Sequence, residues 1–160
     1  MALSKPLGEG DVQQVTLDKA AQHMLEECRM VLPGIQALFG FQLIAVFNEG
    51  FADKLSAAQQ LMHLAAIILV AVAIALVMAP AALHRQAEPQ QVSERFVWLS
   101  SNLLLASMYP LAVAICLDAW LVTSVILGRS AAGMLVALAL LGVFAALWLL
   151  LPRRETRARR

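Results

Sequence analysis

Four long apolar stretches separated by short polar connections organise this chain: Val31 to Phe47, Leu61 to Leu83, Val97 to Leu127 and Ala131 to Leu151. The last is a 21-residue run without a charged, amide or hydroxyl side chain. At about 1.5 Å per residue, a helix of that length crosses the ~30 Å hydrocarbon core of a bilayer. The third stretch has 31 residues, too long for an upright span and short of the roughly 40 that two spans and a turn require. It predicts a single helix, kinked or tilted at Pro110 and closed by the turn Gly128-Arg129-Ser130. The first stretch is the weakest, because its 17 residues include Pro33, Gly34, Gln36 and Gln42. A re-entrant or interfacial segment is the alternative there.

Ahead of these stretches, Thr16 can cap a helix from Leu17 toward Met30, with Asp18 in its positively polarised first turn. Val15, Leu17, Met24, Leu25 and Cys28 form a patchy apolar side, which predicts an amphipathic helix lying on the cytoplasmic surface. Residues 1–14 are polar, with little apolar surface, and read as mobile. They contain no apolar core of a cleavable signal peptide, so an internal span is expected to direct insertion.

Composition agrees with this pattern. With 61% hydrophobic and 14% charged residues, the chain has too little polar surface for a soluble shell. The net charge of +1 says little as a sum, since the distribution of Lys and Arg is what orients a membrane protein. Five arginines in the last eight residues place the C-terminus in the cytoplasm. Four spans then leave ten of the twelve basic residues on the cytoplasmic side, with only Lys54 and Arg129 outside. If the first stretch did not span, the division would fall to seven against five. The expected architecture is therefore all-α: a polytopic protein of the cytoplasmic (inner) membrane with four transmembrane helices at about 31–49, 61–83, 97–121 and 131–151. The surface helix lies in residues 1–30, a basic tail occupies 152–160, and both termini are cytoplasmic.

Chemistry is sparse. No HExxH, GxSxG, GxxxxGK[ST] or GxGxxG motif is present, and His23, His63 and His84 lack ligand spacing. Cys28 and Cys116 fit neither a redox pair nor a zinc site, so no enzyme activity, metal or cofactor is expected, and nothing points to nucleic acid. Asp118 is the only carboxylate within an apolar run. Counting from Val97 puts it near the outer boundary, where it reads as a partly hydrated acid within reach of Arg129 rather than a midplane ion site. Asn102 and Tyr109 are seven residues apart and share a stripe with Trp98 and Ala106 that should face another helix. Gln36, one turn before Gly40, should do the same in the first span. His63 reads as a structural or interfacial histidine. Ala71/Ala75/Ala79, Gly133/Ala137 and Gly142/Ala146 are expected packing ridges, and Trp98, Trp148 and Trp120 suit the two membrane interfaces. At the cytoplasmic boundary, Glu27 could reach His84 or Arg85 across adjacent helices.

The segment Glu27-Cys28-Arg29, with Pro33-Gly34-Ile35-Gln36 at the head of the first span and Ala79-Pro80 with His84-Arg85 at the end of the second, resembles a family of small bacterial four-span membrane proteins of unknown function. The likeness covers approximately residues 20–130 in organisation and is specific over the first two spans. Cys28 stands where an apolar residue is expected. The resemblance implies a compact four-helix membrane protein and gives weight to a rim cluster of Glu27, Arg29, Pro33, Gly34, His84 and Arg85. Some relatives carry a sodium:proton antiporter label. The leading expectation is an integral membrane protein that works through helix packing, with the lipid bilayer and a second copy or membrane partner around it. The alternative is a small proton- or cation-coupled transporter or channel subunit using Asp118, Asn102 and Gln36.

Overall fold

The computed structural model describes residues 17–87 and 92–158. Thr16, the segment 1–14 and the last two arginines lie outside the described residues. The elements are α1 (Leu17–Val46), a single-turn α2 (Phe51–Lys54), α3 (Ala57–Ala87), α4 (Glu94–Leu127), α5 (Ser130–Ala145), a π-helical turn (Ala146–Leu150) and α6 (Leu151–Ala158). Among the described residues four helices are long and apolar enough to cross a membrane, and the first has the lowest mean hydropathy, 1.4 against 2.8, 2.1 and 2.7.

The expected surface helix and first span are one continuous rod, since α1 runs unbroken from Leu17 through Pro33. Proline there removes one backbone hydrogen bond, to the Arg29 carbonyl, and a 30-residue helix has enough others to carry on through it. The tail is likewise helical. Pro152 would clash with the Trp148 carbonyl in a regular α-helix, and the preceding π-turn resets the register so that Pro152 falls in the first turn of α6.

The ends are set by local chemistry. Ser56 and Gln59 form a reciprocal capping box at α3: the Ser56 N–H donates to Gln59 Oε1 at 2.9 Å and the Gln59 N–H to Ser56 Oγ at 3.4 Å. Ser93 Oγ accepts the Phe96 N–H at 3.1 Å to start α4. Gly128 ends α4 at φ 62°, a left-handed position that glycine occupies without strain.

The α3–α4 pair forms the centre of the bundle, with α5 against α4 and α1 against α3 and, less extensively, α4. On α3 the buried positions His63, Ala66, Val70, Ala73, Val77 and Pro80 advance by three and four residues, a coiled-coil seam. The α4 seam runs through Ser100, Ser107, Ala114 and Leu121, and that of α1 through Ala21, Cys28, Ile35 and Gln42, each at intervals of seven. Only Gly133 of α5 is buried. A Cβ there would stand 2.5 Å from the Trp120 carbonyl oxygen, so α5 lies on α4 at a separation only glycine permits. The Gly133 ridge is thus a real packing contact. Gly142 has open space around it, and Ala71 and Ala75 are exposed, so those ridges are not internal contacts. Large apolar side chains such as Phe41, Phe47, Ile126 and Leu135 cover the outer surface, as a lipid-facing bundle requires.

Candidate site at the Gln42, His63 and Asp118 cluster

The three seams end together. Gln42 continues the seven-residue rhythm of α1, His63 lies seven before Val70 on α3, and Asp118 sits between Ala114 and Leu121 on α4. Because α3 runs antiparallel to α1 and α4, these positions meet at one end of the bundle. Gln42 and His63 are 4% and 6% exposed, and the Asp118 side chain 19%.

Gln42 Nε2 donates to Asp118 Oδ2 at 2.6 Å, a short bond. His63 Nε2 lies 3.0 Å from the backbone carbonyl oxygen of Gln42 and donates to it. His63 Nδ1 faces Asp118 Oδ1 at 3.4 Å, a contact longer than a hydrogen bond between ionised partners, and is otherwise buried without a partner. The Phe51 ring of α2 covers the imidazole at 5.4 Å between centroids, and Gln60 Nε2 ties α2 down by donating to the Leu55 carbonyl at 3.0 Å. The cluster thus joins three helices beneath a short apolar lid. It holds one carboxylate and one imidazole where a lone charge would be costly.

The partner of Asp118 is therefore His63 rather than Arg129, which is exposed beside the α4–α5 turn. Counting residues from the start of the run does not say which side of the helix Asp118 lies on. Gln36 is exposed, and a Cβ on Gly40 would meet nothing within 4 Å, so the close helix approach expected there does not occur. Ile35, one position earlier, is the residue that faces the core. Asn102 and Tyr109 do share a face of α4 and both are exposed, and Tyr109 lines a groove with Leu141, Phe144 and Trp148 of the last span. Gln36 and Asn102 do not join Asp118 in one path.

The rim residues sit at the opposite end. Glu27 and Arg29 are exposed on α1, as are Pro33 and Gly34. Glu27 lines a groove of about 440 Å³ between α1 and α4, together with His23, Ser101 and Ser107. Among the described residues Glu27 makes no ion pair with Arg85, whose side chain is exposed; His84 instead packs its ring on Phe96 at 5.6 Å. Trp120 turns its indole N–H inward toward α5.

Gln42 and His63 are the functional candidates that linear reading passed over. The signal for them was the interval of seven that links each to the core of its own helix.

The model of a family of unknown function (DUF6328) matches residues 10–152 of the chain, and the chain belongs to that family. Comparison with the curated proteins and with the solved structures returned no match.

Proposed function

We propose that this member of a family of unknown function is a non-enzymatic multi-pass protein of the cytoplasmic membrane, with both termini inside, that works by assembling with a second copy of itself through the outward face of α4. The observation that carries this reading is the exposure of Asn102 on α4, with Leu105, Tyr109 and Val113 continuing its stripe along a groove that the last span leaves half open. An amide has both a donor and an acceptor, so two copies of Asn102 meeting across a two-fold axis satisfy one another. In hydrocarbon there is no water to do so instead. The rim residues Glu27, Arg29, His84 and Arg85 would then stay on the cytoplasmic side, free to meet a partner.

The test is the dimer fraction of the full chain in bilayers, followed by single-molecule photobleaching. Asn102→Leu is expected to weaken dimerisation roughly threefold for each hydrogen bond lost. A chain that is monomeric at every density, or whose association ignores Asn102→Leu, would sink the proposal.

A transport role draws support from a different observation, the buried Gln42, His63 and Asp118 cluster. Proteoliposome flux that disappears in Asp118→Asn would favour it over pure assembly.

A further inference from the structure

We propose that the groove between α1, α4 and the last span binds a hydrophobic organic cation, with its charge at Glu27 and its apolar body along the walls beyond. The inference rests on neither self-association nor ion coupling, since Asn102, Gln42, His63 and Asp118 do not line this groove.

The groove follows from how α1 is held. Its seam of Ala21, Cys28, Ile35 and Gln42 packs chiefly on α3, and its contact with α4 is less extensive. Between α1 and α4 lies a space of about 440 Å³, bounded by Ala20 to Ile35 on one side and Ser101 to Leu111 on the other, with Val77 of α3 behind and Trp148 of the last span beside it. From Ala20 to Ile35 the helix rises about 22 Å, so the space is long rather than round. Leu105, Met108 and Trp148 also line the apolar groove of Tyr109 and Phe144, so the two spaces adjoin around one indole ring. That ring sits in the π-helical turn, a distortion that recurs at functional sites in helices.

Polarity is confined to one end. His23, Glu27 and Ser101 lie toward the starts of α1 and α4, and Val31, Ile35, Leu104, Met108 and Leu111 follow them along the walls. Ser107 is no exception, because its hydroxyl donates to the Leu104 carbonyl at 2.6 Å and is satisfied within α4. Met24 and Met108 give the walls side chains that adapt to ligands of different outline.

Charge selects the occupant. Among the described residues that line the groove, Glu27 is the only carboxylate and there is no Lys or Arg. Glu27 has no ion-pair partner among the described residues: His23 turns Nδ1 to Glu26 at 3.9 Å, and Arg29, two positions along α1, lies on another side of the helix. A carboxylate without a partner at the head of an apolar space attracts a cation whose remainder is apolar. The indole of Trp148, backed by Phe144 at 4.7 Å between centroids, adds a ring of the kind that favours cations. A phospholipid is the wrong partner at this end, because its phosphate would meet Glu26 and Glu27 with no Lys or Arg on the walls to hold it.

The test is equilibrium binding of radiolabelled tetraphenylphosphonium to the full chain in phosphatidylcholine nanodiscs, with binding to empty discs subtracted. Saturable binding at one site per chain is expected. Glu27→Gln should weaken it roughly tenfold, Glu27→Lys should abolish it, and Glu26→Gln, an equal loss of charge one residue away, should leave it within about twofold. Tetraphenylborate, of the same shape and opposite charge, should show no saturable binding. Glu27 is exposed, so its variants are expected to fold; should they not, the comparison of phosphonium with borate on the wild type decides. No saturable binding, equal binding of the borate, or a Glu27→Gln chain that binds like the wild type overturns the proposal and leaves the groove to lipid chains. Binding that is present with one chain per disc and lost with two gives the groove to a second copy, and overturns it as well.

Discussion

Gly133 carries its consequence in what it lacks. A Cβ at that position would collide with Ser124 Oγ and stand 2.5 Å from the Trp120 carbonyl oxygen, and the second of these is backbone that cannot swing aside. Gly133→Ala should therefore push α5 off α4 and cost about 1–3 kcal/mol, the usual range for overpacking a close contact. Gly142→Ala on the same span, with open space around it, should melt like the wild type or slightly higher. Thermal unfolding of the two variants side by side checks this, and equal melting temperatures would show that α5 does not depend on the contact. From sequence the two glycines were equivalent, each followed four residues later by alanine. Only the partner helix distinguishes them. The same is true of the glutamines. Gln36 and Gln42 both interrupt the first apolar run, yet only Gln42 is spaced by seven from Ile35 and Cys28 and so falls on the buried seam.

At the level of elements, apolar runs located all four long helices but not their ends, because ends are made by polar residues outside the runs. The run beginning at Leu61 says nothing of Ala57, where α3 starts. The Ser56 and Gln59 pair, a Ser-x-x-Gln spacing just ahead of the run, was the legible sign of that start. Ser56→Ala removes the oxygen that accepts the Gln59 N–H and should cost about 1 kcal/mol. Amide exchange should quicken in the first turn of α3 and leave the Val70 to Val77 core unchanged. Exchange rising equally along the helix would mean the cap is not what holds this end. The first turn lies two turns from His63, so the cap also steadies the lid that Phe51 places over the imidazole. Proline is not a stop signal in these helices. Pro33, Pro80 and Pro110 each sit inside a continuous helix, where losing one hydrogen bond among some thirty is tolerated by packing.

The orientation of the whole molecule rests on charge rather than on packing. An antiparallel bundle of four spans packs equally well with either end in the cytoplasm, since the lipid on both sides is the same solvent to its apolar faces. What can break the symmetry is an excess of Lys and Arg at one end of the bundle, and the largest block of basic residues is Arg153, Arg154, Arg157, Arg159 and Arg160. The other basic residues are weaker determinants under the same rule: Lys5, Lys19 and Arg29 precede a span of low hydropathy, and Arg85 and Arg95 share their connection with Glu88 and Glu94. Replacing the five tail arginines with glutamine should therefore yield a mixed population, with a C-terminal reporter found on both sides of the membrane. Adding two lysines to the Asn48 to Ser56 connection in that background should shift the balance further toward the inverted form. A reporter that stays wholly cytoplasmic in both variants would assign the orientation to the N-terminal charges instead.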